Sequence, residues 1–147
     1  MKPNNAPRLV SSGITVVRGS RRIVDDADLT LHAGEFTILA GPNGAGKTTL
    51  ARAMAGVMRT EGSTAFDGVS LRHMQPRARA RAISYLPQGH EFHWPMRVDS
   101  IVALGREPHA DPFSQTSIKD RIAIERAIEA TAVGEFSSRL ITTLSGG

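Results

Sequence analysis

Phe36-Thr-Ile-Leu-Ala-Gly41-Pro-Asn-Gly-Ala-Gly46-Lys47-Thr48-Thr49 is the stretch whose reading decides the fold. Its first five residues form a short apolar run without alternation, which suits a strand buried on both faces, as in a parallel sheet under helices. Residues 41–48 then fit G-x-x-x-x-G-K-[ST] at every position. Thr49–Ala55 follows as a helix that Gly56 can end. A strand, a glycine-rich loop and a helix in that order make a cradle for phosphate. Glycines let the backbone turn its N–H groups onto phosphate oxygens, and the helix start adds partial positive charge. On this reading Gly41, Pro42, Asn43, Gly44, Ala45 and Gly46 form the cradle, and Lys47 reaches the β- and γ-phosphates. One such charge pair at about 4 Å, with an effective dielectric near 20, contributes about 4 kcal/mol. Thr48 offers its hydroxyl to Mg²⁺, and Thr49 supports the α-phosphate. Average composition makes a chance match of all these positions rare.

Working outward, Ile14–Val17 and Ala27–His32 read as strands around a turn at Gly19-Ser20-Arg21, and Ala33-Gly34-Glu35 turns the chain into the decisive run. Gly62–Gly68 reads as a strand with turns at both ends, and Ala82–Leu86 as a second core strand. The later half is helical. Val98, Ile101, Val102 and Gly105 keep i, i+3, i+4, i+7 spacing. Ser117 with Asp120 resembles a capping box, followed by an apolar arc of Ile118, Ile122, Ile124, Ile128 and Val133. Residues 1–7 read as a loose start. The pattern predicts one α/β domain of 147 residues: a β flank and phosphate-binding core over 8–88, and a helical insertion over 89–147.

Bulk properties narrow the class. The chain is 40% hydrophobic and 22% charged, with a net charge of +4 and no cysteine, so disulfide scaffolds and thiolate metal sites are excluded. No apolar run approaches the roughly 20 residues of a membrane span, and residues 1–5 lack the apolar stretch of a signal peptide. Only three of the 18 basic residues are lysines; the rest are arginines. The densest basic run, Arg77–Arg81, reads as a solvated helix face or loop, or as a nucleic-acid contact. The few aromatic residues do not interleave with it as stacking platforms would. His90 and His93 have a spacing open to a metal, but with Glu91 and no cysteine nearby they make a poor zinc or iron site.

The loop alone does not choose among nucleotide-binding families. Three further features do: the wording Gly41-Pro-Asn-Gly-Ala-Gly-Lys-Thr-Thr49, a glutamine closing Ala82-Ile-Ser-Tyr-Leu-Pro-Gln88, and Leu144-Ser145-Gly146-Gly147 after a helical stretch. In this order they resemble the ATP-binding-cassette (ABC) ATPases, and the resemblance covers the chain beyond residue 8. It implies ATP and Mg²⁺ as ligands. Two such domains would meet head to tail, as a homodimer, around two ATP molecules. Ser145, Gly146 and Gly147 would cover the γ-phosphate of the partner's ATP. Gln88 would touch Mg²⁺ and the attacking water. At the position where many members stack an aromatic residue on adenine, this chain has Arg18. A guanidinium can stack on a base; a plain surface charge is the other reading.

Trp94-Pro-Met-Arg-Val98 and Gly105-Arg-Glu-Pro-His109 further resemble the ATPase subunits of bacterial importers for iron–siderophores, haem and cobalamin. The resemblance implies a peripheral subunit on the cytoplasmic side of the inner membrane, working with a transmembrane permease and a periplasmic binding protein, and no nucleic-acid partner. Phe92, Trp94 and Met96 would belong to the socket for the permease or to the helical core; His109 would cap or pack locally. A soluble ABC ATPase acting on DNA or ribosomes is the alternative, as is a non-catalytic nucleotide-binding fragment. The short insertion between Gln88 and Ser145 argues against the long coiled-coil type. The resemblance also places the remaining catalytic parts after L-S-G-G: an Mg²⁺-associated Asp, the Glu that polarises water and a switch His. None lies in these 147 residues, so the resemblance implies a single incomplete domain whose C-terminal part is missing. The catalytic set is then Lys47 and Gln88, and the chain is expected to bind nucleotide weakly and not to hydrolyse ATP alone.

Overall fold

The computed structural model describes residues 6–89, 94–111 and 116–144. The chain divides between Tyr85 and Leu86 into two units.

In the first unit, strand β1 (Pro7–Arg18) and strand β2 (Arg21–His32) form a long hairpin around Gly19-Ser20. Both are longer than the apolar patches that announced them, because ladder pairing carries the polar residues on either side. Helix α1 spans Lys47–Met54, strand β3 Glu61–Phe66 and strand β4 Val69–Ser70. The sheet runs β2-β1-β3-β4, antiparallel throughout. The β3–β4 turn has positive φ at both Asp67 (47°) and Gly68 (79°), the mirror-image turn whose twist matches a hairpin. Arg8 ties the turn back to β1, pairing with Asp67 at 3.1 Å and lying 4.7 Å over the Phe66 ring.

β1, an inner strand between β2 and β3, supplies Ile14 and Val16 to the core, joined by Val24 of β2 and Ala53 of α1. Ile23, Ala27, Leu50 and Met58 pack around them. Each such apolar side chain contributes roughly 1.5–3 kcal/mol on burial, so this small cluster is what seats α1 on the sheet. Where β1 leaves the core, its Ser11 hydroxyl meets the Thr64 hydroxyl of β3 at 3.0 Å, both side chains buried. Gly13 lies where β1 shifts register, and β3 passes so close that a Cβ on Gly62 (φ 79°) would stand 2.3 Å from the Gly13 carbonyl oxygen. Helix α2 (Pro76–Ala82) begins with Pro at its first turn and has no fully buried residue. It carries the basic run, which is therefore helical.

Two expected strands are absent. Residues 36–40 form no ladder, and Phe36 and Ile38 are 89% and 74% exposed. Residues 83–87 likewise have no regular structure, and Ala82 belongs to α2. A strand exists only through a neighbour that takes its N–H and C=O groups. Every strand among the described residues belongs to the antiparallel flank, and the one isolated bridge there joins Arg97 to Leu140, so these two apolar runs take no part in either.

The second unit is built on helix α3 (Val98–Leu104) and helix α4 (Ile118–Ala130). Ser117 caps α4 with a full capping box: its hydroxyl accepts from the Asp120 N–H at 3.2 Å, and the Asp120 carboxylate accepts from the Ser117 N–H at 3.3 Å. Asp120 is buried and also receives the Arg106 Nε–H at 2.8 Å, which joins the end of α3 to the start of α4. The apolar arc of α4 is split: Ile124 and Ile128 are half-buried, while Ile118 and Ile122 are exposed. Main-chain bonds stitch Met96–Asp99 to Ser137–Ile141, from Ile141 to Met96 at 2.9 Å, Val98 to Arg139 at 3.0 Å and Asp99 to Ser137 at 3.0 Å.

Gly62→Ala is expected to cost about 3 kcal/mol, since a methyl group there meets a carbonyl at positive φ. Denaturant unfolding checks this against Ser63→Ala, an exposed change on the same strand that should be near neutral. The second unit should weaken in acid. The Ser117 hydroxyl first, and Arg106 second, hold the Asp120 carboxyl below the usual carboxylate range. A depressed folded value makes this stabilisation complete above an unfolded value of about 4. It is lost as the pH falls through the folded value. Unfolding measured against pH should lose this step in Asp120→Asn.

Candidate nucleotide-binding site

The loop at residues 41–46 crosses from the apolar run to α1 as an exposed turn, with the Ala45 N–H reaching the Pro42 carbonyl at 3.3 Å. Gly46 is the N-cap of α1 and sits in the left-handed region, φ 86°. A Cβ on it would meet the Ile23 carbonyl oxygen at 2.5 Å. The loop is thus pressed against the backbone of β2 at the point where the helix begins, and only glycine satisfies both the angle and the space. Beyond it the helix locks in with the Leu50 N–H on the Gly46 carbonyl at 2.8 Å.

Lys47 folds back over the loop, and its Nζ donates to the carbonyls of Gly41 and Pro42, each at 2.7 Å. This holds the ammonium on the loop side of the helix start. The first turn of α1 carries no acidic residue, so nothing there cancels the positive end of the helix. Among the described residues the N–H groups of Gly44, Gly46, Lys47 and Thr48 have no hydrogen-bond acceptor. Four free donors, an ammonium and an exposed helix start fit a phosphate group and repel a cation. Thr48 is exposed and open to a hydrated Mg²⁺ held mainly by phosphate; Thr49 is half-buried. No group of three or more His, Cys, Asp or Glu side chains gathers for a metal among the described residues.

The other expected site residues are spread more widely. Arg18 is exposed at the end of β1, paired across the hairpin with Arg21. It makes no hydrogen bond or ion pair to residues 41–49 among the described residues. Gln88 is exposed in a bend of the second unit. Ser145, Gly146 and Gly147 lie outside the described residues, as do His90, Glu91, Phe92 and His93. Leu144 is described and closes a 3-10 turn, its N–H on the Ile141 carbonyl at 3.1 Å. Trp94 is 76% exposed and Met96 half-buried. His109 has an exposed ring, and its N–H closes the turn onto the Arg106 carbonyl at 2.7 Å.

One contributor to the loop has no motif to announce it. The Ile23 carbonyl is main chain, and any residue there offers the same atom. Arg106 belongs to a stretch singled out for its wording, yet its side chain serves the α3–α4 corner.

The profile of one family, described as ABC transporter, matches residues 24–147. The hemin import ATP-binding protein of Myxococcus xanthus is 39% identical over 136 residues, covering 92% of this chain and 50% of that protein. The iron(3+)-hydroxamate import ATP-binding protein of Bacillus subtilis is 35% identical over 130 residues, 88% of this chain and 48% of that protein. The chain therefore spans about half the length of these curated relatives. In fold it is similar to an inward-facing metal-chelate type ABC transporter, with a TM-score of 0.71 at 20% identity over 95% of this chain and 50% of that one. A nucleotide-free ATP-binding cassette from an ABC transporter gives 0.70 at 21% identity, over 96% and 60%. Among the described residues no helix is long and apolar enough to cross a membrane.

Gly46→Ala is expected to push the loop off β2. Amide exchange at Leu50 should quicken by about tenfold or more as its bond to residue 46 loosens, while the exchange of β3 amides stays unchanged.

Proposed function

The chain belongs to the ABC transporter family, and from that premise we propose that it is the nucleotide-binding part of an importer's energy-coupling subunit. The observation that carries this reading is the loop itself: free N–H donors and a lysine drawn back over the loop, ahead of a helix without acidic residues in its first turn. ATP is the ligand, its phosphates cradled by residues 41–47, with Mg²⁺ on the Thr48 hydroxyl and Gln88 at the edge of the metal's water. Ser145, Gly146 and Gly147 serve a second subunit's ATP across a head-to-tail dimer.

The cargo class is iron–siderophore, haem or cobalamin. Support comes from the names of the relatives and from the Gly105–His109 stretch. On this reading the subunit lies against the cytoplasmic face of the inner membrane, and a transmembrane permease docks beside the exposed Trp94. A binding protein outside the membrane delivers the cargo. ATP binding and hydrolysis would then be converted into movement of the permease.

Calorimetry and thermal shift with Mg-ATP test the nucleotide reading. Saturable binding is expected, with Lys47→Ala weakening it by at least about tenfold, as the loss of a charge-assisted contact to phosphate requires. Equal affinity in the two proteins would sink the proposal.

A further inference from the structure

We propose that the first unit holds a second anion site, remote in composition from the nucleotide loop, which takes a small phosphorylated molecule. A cavity of about 660 Å³ opens between the C-terminal end of α1, the β3–β4 hairpin and α2. Arg59, Arg72 and Arg79 line it, one from each of three separate segments, and its lining includes no Asp or Glu. None of residues 41–49 reaches it.

The three guanidiniums are held in different ways. Arg72 spends one nitrogen, Nη2, on the carbonyls of Thr60 at 3.0 Å and Gly62 at 2.9 Å. That anchors the fork and leaves Nε and Nη1 to donate elsewhere. Arg79 lays its stem along Gly56, with Cδ 3.4 Å from where a Cβ on that glycine would stand. Arg59 is exposed at the rim. None of the three has a carboxylate partner among the described residues. Elsewhere in the chain Arg8, Arg22, Arg97 and Arg106 are each paired with an aspartate. Three unpaired cations around one concavity repel one another, and a dianion among them turns that repulsion into attraction. Planar guanidinium forks match the oxygens of a phosphoryl group. The volume suits a drug-sized ligand rather than a bare ion, and Val57, Met58 and Leu71 give it an apolar wall for the rest of the molecule. The ligand class is therefore a phosphate ester with an apolar or flat body.

Inorganic pyrophosphate is the probe, titrated without Mg²⁺ into the full chain carrying Lys47→Ala. That background weakens the nucleotide loop, so a failure of the nucleotide reading leaves this test intact. Saturable binding is expected, with amide shifts at Thr60, Gly62 and Leu71 larger than those at Gly44 and Gly46. Arg59→Gln should weaken it about tenfold; because Arg59 is exposed at the rim, its loss leaves the fold in place. Absence of saturable binding in the Lys47→Ala chain would overturn the proposal. So would undiminished affinity in both Arg59→Gln and Arg79→Gln, or shifts confined to residues 41–49.

Discussion

The close approach of Gly46 to the main-chain carbonyl of Ile23 is the contact on which the nucleotide side of the first unit depends. It sets the height of the loop above β2 and hence the point at which α1 starts. From there α1 can reach the sheet with Leu50 and Ala53, and the core of Ile14, Val16 and Val24 closes beneath it. Lys47, the first residue of that helix, then lies where its stem can cross the loop to the carbonyls of Gly41 and Pro42. The donors that face outward are left over from this arrangement. They are the N–H groups that a helix start cannot satisfy internally. The binding chemistry is thus a by-product of how the helix is mounted, and the mount is a backbone-to-backbone contact that excludes any side chain.

Much of this was legible in the residues. The loop and its helix were readable because each position in 41–48 is constrained by geometry, and a motif with constrained positions carries its own context. The α4 start was readable for the same reason: Ser117 and Asp120 have the spacing that lets each bond the other's backbone. The flank strands were visible only in their apolar centres. Their ends at Pro7 and His32 are polar, and ladder pairing, which has no local signal, extends them.

The two runs at 36–40 and 82–86 failed as strands for a complementary reason. Their composition records how apolar their surroundings are meant to be, but a strand also needs a neighbour, and composition does not say where the neighbour is. Phe36 and Ile38 stand in solvent among antiparallel strands that are already paired with one another. Such exposed apolar runs are the part of the chain most prone to stick to other molecules. Asp120 was legible as a cap and not as a buried ion-pair partner. Its spacing announced a cap, and nothing in the spacing announced that the same carboxylate would be buried against Arg106.

The stitching of Met96–Asp99 to Ser137–Ile141 has a mechanical meaning. Three main-chain hydrogen bonds between the two stretches make them move as one bar. The pairing is antiparallel, so Trp94, two residues before Met96, and Leu144, three residues beyond Ile141, leave the same end of that bar. Hydrogen-bonded backbone has little slack, so a push of an ångström on the tryptophan side cannot be absorbed by side-chain rotation alone. It arrives at the leucine as displacement. The two residues are therefore linked with the stiffness of a short ladder rather than the looseness of a linker.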